Sequence, residues 1–300
     1  MVDKILLRLS LLNIPRWGNA TVHKLLSQVD VSELQNPDSI LEAIKKIAPQ
    51  DKRIKIPLLS EIEEAAERAL NIADCCKEHD IEILIPEHKY YPRNLLRTRV
   101  PPCVLYAKGD LNVLNCEHII AMIGTREPLD WIYQSIKRIG LRCAEKEIVV
   151  LSGLALGCDT AAHEGCLEIG GKAIGVLGCG LDTIYPKVSE NLANSIIANN
   201  GCLVSEYPPE TKTNKFQLVA RDKLQAAMSN QVIVGQTTIE GGSMHAANYA
   251  LDKLIRPVGV ITRDKILDDS FSGNLQLIER GARPLIGSDT LVEFLKKKEI

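Results

Sequence analysis

The sequence predicts an α/β protein: a mostly parallel sheet covered by helices on both faces, with a small helical module in front of it. Three observations carry this. Short apolar runs recur from His118 onward: "HIIAMIG", "EIVVLSG", "KAIGVLG", "GCLVSEY", "NQVIVGQ" and "RPVGVIT". Amphipathic stretches such as "WIYQSIKRIGLRCAEK" and "SMHAANYALDKL" lie between them. Strands buried on both faces read as continuous apolar runs, and a strand–helix alternation builds parallel βαβ units. Third, the first 80 or so residues follow helical spacing instead.

In that N-terminal part, "ATVHKLLSQV", "PDSILEAIKKIA" and "LLSEIEEAAERALNIADCCKEH" each carry apolar residues three and four apart. Pro15, Pro37, Pro49 and Pro57 punctuate them. "LLNIPRWGNATVHKLL" has the loose form of a helix-hairpin-helix, whose turn amides can hold a DNA phosphate, but it reads better as a packing module. Residues 1–80 are therefore expected to form one helical module of SAM or helix-hairpin-helix type. From Ile81, "IEILIP" and "PPCVLYAKGD" are short β-runs, and the regular alternation follows them. Residues 81–300 are expected to form one α/β domain, without internal repeats or low-complexity linkers.

Composition narrows the function. No apolar run approaches the roughly 18 residues that a membrane span needs. Lys4, Arg8 and Arg16 interrupt the apolar N-terminus and no small-residue cleavage site follows, so neither a signal peptide nor a membrane role is expected. Nine cysteines include no C-x-x-C pair, which points to reduced core thiols in a cytoplasmic protein and to no metal. A formal net charge of −2 excludes a surface coated in nucleic-acid-binding charge, so any such role needs a local patch. The run Lys296, Lys297, Lys298 reads as a solvated helix end.

In parallel sheets, ligands bind at the carboxyl ends of the strands. The residues there are Gly124-Thr125-Arg126, Ser152-Gly153, Gly178-Cys179-Gly180, Ser205-Glu206-Tyr207 and, slightly later, Gly241-Gly242-Ser243. Glycine lets backbone amides approach a ligand, and a following helix N-terminus favours an anion. Several such turns on one edge point to a phosphate-bearing ligand. In "VVLSGLALGCDTAAHEG", Asp159 stands where a helix begins and is expected to cap it. His163 reads as a hydrogen-bonded structural histidine, and the amides from Gly153 to Gly157 as the phosphate donors. Gly178-x-Gly180 lacks the third glycine of a dinucleotide fingerprint, and Pro186 delays the helix, so no NAD or other cofactor is expected.

The segment "SEYPPETKTNKFQLVARDKLQAAMSNQ" contains prolines that forbid one continuous helix. Lys212, Lys215, Arg221 and Lys223 crowd together there with Phe216 among them. Cations that track a backbone beside a ring that stacks on a base suit single-stranded nucleic acid. A solvated loop with one buried Phe is the competing reading.

"MIGTREP", "LSGLALGCDTAAHEGCL", "GVLGCGLDTIYP", "LVSEYPP", "ARDKLQAAMS", "GGSMHAANYAL" and "GNLQLIERGARPLIGS" occur in order with appropriate gaps. Together they resemble the DprA (Smf) family of DNA-processing proteins over roughly residues 80 to 290. The resemblance implies an extended Rossmann-like fold, no catalytic activity, and binding of single-stranded DNA by a homodimer. It further implies protection of incoming DNA in natural transformation and loading of the RecA recombinase in recombination. By motif, Arg126 matches the Arg of the family's Gly-Ser-Arg turn. Lys215 and Phe216 lie in its basic loop, and Arg221 and Lys223 take its Arg-Asn-Arg positions. The DNA-binding set implied is Gly124, Thr125, Arg126, Ser152, Gly153, Lys212, Lys215, Phe216, Arg221, Lys223, Gly241, Gly242 and Ser243.

The chain departs from the family at several points. Asp222 replaces the amide between the two cations, Gln236-Thr237 replaces an acidic-Ala pair, and His245 enters the helix after the Gly turn. The winged-helix module that many members carry after this domain is not expected. A small-nucleotide sensor or nucleotide-hydrolysing enzyme on a related fold is the alternative. "EGGSMHA" faintly resembles the Gly-Gly turn of phosphoribohydrolases, but the Gly-Thr followed by a catalytic Glu is missing.

Overall fold

The structure, a computed structural model, describes residues 2–51, 54–263 and 268–296. The chain divides into two compact units, Met1–Tyr91 with Leu96–Tyr106, and Pro92–Leu95 with Ala107–Ile300.

The first unit is built on four helices, α1 (Lys4–Asn13), α2 (Asn19–Gln28), α3 (Pro37–Ile47) and α4 (Leu59–Glu78), followed by the short strand β1 (Glu82–Leu84). Their apolar faces, including Leu7, Leu11, Val22, Leu25, Ile44 and Ile62, meet in one core. Asn36 caps α3 by accepting from the Ser39 amide, just ahead of Pro37, which fits the first helical position because its missing N–H has no partner there anyway. This unit runs past the boundary at residue 80 expected from helical periodicity. Side chains of α1 and α2 hold the following segment: Arg8 pairs with Glu87 at 2.5 Å, and Asn19 accepts from the Cys103 amide at 2.8 Å. Periodicity marks where helices stop; it carries no sign of such tertiary bonds.

The chain continues through α5 (Arg93–Leu96) and β2 (Leu105–Gly109) into the second unit. There follow β3 (Ile119–Ile123), α6 (Asp130–Glu145), β4 (Val149–Ser152), α7 (Cys158–Leu167), β5 (Ala173–Leu177), α8 (Glu190–Ala198) and β6 (Cys202–Ser205). The remainder is α9 (Lys215–Met228), β7 (Gln231–Val234), α10 (Ser243–Tyr249), β8 (Val258–Ile261), α11 (Ser272–Glu279), β9 (Arg283–Leu285) and α12 (Ser288–Phe294). Strands β3 to β9 hydrogen-bond in the order β6-β5-β4-β3-β7-β8-β9, and each neighbouring pair runs parallel. The expected α/β class and parallel sheet are thus present. Strands β3 to β8 are buried along their whole length, as runs covered on both faces must be.

From β3 the chain steps outward through β4, β5 and β6, then returns across the sheet to lay β7 against the other side of β3. That reversal opens a crevice beyond the carboxyl ends of β3 and β7, the place where open α/β sheets bind ligands. Helix α9 makes the return crossing. Because all these strands are parallel, the turns holding Gly124, Gly153, Gly180 and Gly242 share one edge.

Candidate functional site

A cleft of about 530 Å³ occupies the crevice. Its walls are the turn after β3, the Gln236–Ser243 turn after β7, and one face of α9. The basic segment, in which sequence reading expects no continuous helix, divides sharply: its prolines all precede Asn214, and α9 begins at once. Asn214 accepts from the Gln217 amide at 3.0 Å while its own amide donates to Gln217 Oε1 at 2.8 Å. This reciprocal cap fixes Lys215 at the first helical position. Helical spacing then puts Leu218, Val219 and Asp222 on the same face as Lys215, and all line the cleft.

Eight of the thirteen expected site residues line this cleft: Gly124, Thr125, Arg126, Lys215, Arg221, Gly241, Gly242 and Ser243. Gly153 lines a neighbouring cavity of about 200 Å³, which shares Arg126, Ala155, Leu218 and Arg221 with the cleft. Lys212, Phe216 and Lys223 line neither space and are exposed. Phe216 is 88% exposed, so the buried-Phe reading of this segment is corrected. Lys223 lies two turns beyond Phe216, so the two share one face of α9 that flanks the cleft-lining face. Ser152 is corrected too: it is fully buried, and its hydroxyl donates to the Met122 carbonyl at 2.5 Å.

Asp159 does not cap its own helix, where Gly157 holds the cap position. Its Oδ2 instead accepts from the Gly153 amide at 3.2 Å, the Ala155 amide at 3.3 Å and Arg221 Nη1 at 3.3 Å. Those two amides, expected to await a phosphate, already serve a carboxylate. The Arg221 guanidinium lies where a side chain on residue 153 would begin, so any larger residue there would have to displace it from Asp159. Gly157 is equally constrained, with φ of 77° and the Thr125 and Arg126 carbonyls packed against it.

Arg221 therefore enters the cleft already neutralised. Its Nε also faces Asp222 Oδ1 at 3.4 Å, an ion pair without hydrogen-bond geometry. Burial pushes the Asp159 pKa up while Arg221 pulls it back. Burial likewise pushes Asp222 up to about 6, against the pull of Arg221. Arg126 and Lys215 line the same cleft and have no ion-pair partner among the described residues.

His163 is fully buried; neither ring nitrogen makes a hydrogen bond of good geometry among the described residues, and the Ser152 backbone is the polar group that acts on the ring. Burial holds its pKa down at about 4. It reaches neither cavity, and among the described residues no cluster of His, Cys, Asp or Glu could hold a metal.

Gln236 and Thr237 acquire a structural role that the family pattern does not suggest. Gln236 Oε1 accepts from the Leu129 amide at 2.9 Å, its Nε2 donates to Ser270 Oγ at 2.6 Å, and its carbonyl accepts from the Thr125 amide at 2.8 Å. The Thr237 amide donates to Asn274 Oδ1 at 2.7 Å. One dipeptide thus ties the turns after β3 and β7 to α11 and fixes the width of the cleft between them. Ser270 joins the site from a segment distant in sequence, which no local pattern marks.

The family model for DNA recombination-mediator protein A matches residues 82–296. The DNA processing protein DprA of Bacillus subtilis is 29% identical over 262 residues, 87% of each chain. That of Streptococcus pneumoniae is 36% identical over 205 residues, 68% of this chain and 71% of the relative. Among solved structures, the X-ray structure of DprA from Streptococcus pneumoniae aligns with a TM-score of 0.70 at 26% identity, covering 92% of this chain and 98% of the other. The DNA processing protein A of Helicobacter pylori, solved for its single-stranded DNA binding mode, aligns with a TM-score of 0.63 at 31% identity, covering 72% and 94%.

Proposed function

Since the chain belongs to the DNA recombination-mediator protein A (DprA, Smf) family, we propose that it is a single-stranded DNA-binding protein whose strand-end cleft grips the sugar–phosphate backbone. The observation that carries this reading is the pair Arg126 and Lys215, free of ion-pair partners among the described residues, facing a cleft at the reversal of the sheet beside the exposed ring of Phe216. Cations next to a solvent-facing aromatic ring suit a flexible strand whose bases are free to stack. The single-stranded DNA binding mode described for the Helicobacter pylori relative supports the same ligand.

In the proposed arrangement Arg126 and Lys215 meet phosphates, and Gly124, Thr125, Gly241, Gly242 and Ser243 let the strand lie close to the backbone. Phe216 takes a base on the flank, with Lys212 and Lys223 extending the charge outside the cleft. Gly153 and Arg221 shape the adjoining wall. The wider role proposed is cytoplasmic, non-catalytic and homodimeric: protection of incoming strands during natural transformation, and their delivery to the RecA recombinase in recombination. Among the described residues, no helix is long and apolar enough to cross a membrane.

The deciding measurement is the affinity of an unstructured oligonucleotide against a blunt duplex of the same length, with a nucleoside monophosphate as competitor. Preference for the single strand, undisturbed by the mononucleotide, is the expected result. Binding of the mononucleotide alone, or release of its base, would overturn this reading in favour of a nucleotide sensor or hydrolase.

A further inference from the structure

A phosphate chain entering the cleft meets Asp222, a negative group in its lining. The carboxylate is 16% exposed and stands on the face of α9 that lines the cleft. Its Oδ1 faces Arg221 Nε at 3.4 Å and accepts from Gln225 Nε2 at 3.3 Å. Its Oδ2 lies 3.7 Å from where a side chain on Gly242 would begin. With glycine at that position, a ligand seated against the Gly241–Gly242 turn lies directly beside the carboxylate.

The charges around it do not cancel. Arg221 is shared between Asp222 and Asp159 on α7, so the trio carries a net negative charge when both acids are ionised. Arg126, from the turn after β3, opposes that charge from across the cleft. Lys215, on the same helix, and Glu127 also line the cleft. Helix α10 contributes His245. The π-helical turn Ala250–Leu254 carries Asp252, paired with Arg280 at 2.8 Å, and Lys253, and neither lines the cleft. The strands β3 and β5 beneath α9 contain no ionisable residue.

We infer that strand binding in this cleft takes up a proton at Asp222, so that the site grips phosphate tightly on the acid side of neutrality and loosely on the alkaline side. The inference rests on the proposed single-stranded DNA function. Burial has already brought the group to about 6, within reach of neutrality. A phosphate beside it raises it further, because like charge disfavours the ionised form. By linkage, any ligand that raises the pKa of a group binds more tightly where that group is protonated.

The test is calorimetric titration with an unlabelled oligothymidylate, which carries no group titrating near neutrality, from about pH 5.5 to about pH 8 at constant ionic strength. Paired buffers of different ionisation enthalpy count the protons taken up. The expected result is that wild-type Kd rises several-fold across the range with net proton uptake. Asp222→Asn, of the same shape, should bind at the alkaline end as tightly as wild type does at the acid end, without uptake. His245→Gln, whatever it does to affinity, should keep the pH dependence and the proton uptake. A flat wild-type profile, a pH dependence retained by Asp222→Asn, or one abolished by His245→Gln each overturns the inference while leaving DNA binding intact. No binding at any pH overturns the proposed function, and this inference with it. Thermal melting of both variants at the alkaline end checks that they fold.

Discussion

Asp159 and Arg221, 62 residues apart in the chain, meet at 3.3 Å with only 6% of either side chain exposed. The pair joins α7 to α9 and, through the Gly153 and Ala155 amides, fixes the turn after β4. Arg221 is thus a structural cation as much as a ligand-facing one. Removing one partner of a buried ion pair leaves the other charge desolvated and unpaired, which typically costs about 3–5 kcal/mol. Asp159→Ala is expected to lose stability on that scale, since it also orphans two amides, and Asp159→Asn is expected to lose less. Urea unfolding followed by circular dichroism measures this. A loss below about 1 kcal/mol for Asp159→Ala would mean that the pair does not hold α9 in place.

That relationship changes which cations report on DNA. An Arg221 variant loses fold and ligand together, so the informative pair is Arg126 and Lys215. Neutralising both should weaken binding to every sequence and lower the slope of log affinity against log salt by about 0.7 for each phosphate left without its cation. The tail supplies the control. Lys296 is exposed and pairs with Glu293 at 2.5 Å, whereas Lys297 and Lys298 lie outside the described residues. Neutralising all three should leave the slope unchanged. Oligonucleotide affinity at several salt concentrations decides the matter, and a slope that falls with the tail variant but survives without Arg126 and Lys215 would move the site away from the cleft.

Phe216 offers a separation of stability from binding. At 88% exposure its ring has little native packing to lose, so Phe216→Ala should stay within about 0.5 kcal/mol of wild type in denaturant. Loss of one stacked base costs about 1–3 kcal/mol. Single-strand affinity should therefore fall roughly 5- to 150-fold by that conversion, with little change in the salt slope, because the substitution removes no cation. An unchanged affinity would show that no base stacks there.

Much of this architecture is legible in the sequence, and the reasons differ by element. The apolar runs of β3 to β8 announce a sheet covered on both faces, and their small-residue ends announce the edge that faces the cleft. β9 escapes notice because its three residues, of which Leu285 alone is buried, are too few to show a pattern. α9 is hidden by Pro208 and Pro209, which argue against a helix through the whole segment although they precede its Asn214 cap. Counting forward from Lys215 by three, four and seven recovers the cleft-lining face. Position in sequence suggests that Asp159 caps its own helix, while Arg221, its actual partner, arrives from elsewhere. The bonds of Gln236 to Leu129 and Ser270 are purely tertiary, and no spacing encodes them.

His163 gives the fold a pH dependence of known sign. Burial holds the imidazole at about 4, against about 6.5 for a free side chain, with the Ser152 backbone opposing the shift. Between those values the unfolded chain binds a proton that the folded chain does not. The contribution of this group to stability is therefore complete above about 6.5 and is lost progressively as pH falls toward 4. The gap corresponds to roughly 3 kcal/mol at its fullest. Asp222 and Glu206 act in the opposite sense: burial raises them to about 6 and about 7, so folding gains stability as pH falls through those values. The wild-type profile sums these trends, and a variant difference isolates one of them. His163→Leu is expected to be destabilised at neutral pH by whatever packing it disturbs, and that deficit should shrink or reverse as pH falls from about 7 to about 4.5. Urea unfolding of both proteins at stepped pH measures the difference. If it stays constant across the range, His163 is protonated as readily in the folded chain as in the unfolded one, and burial does not govern its charge.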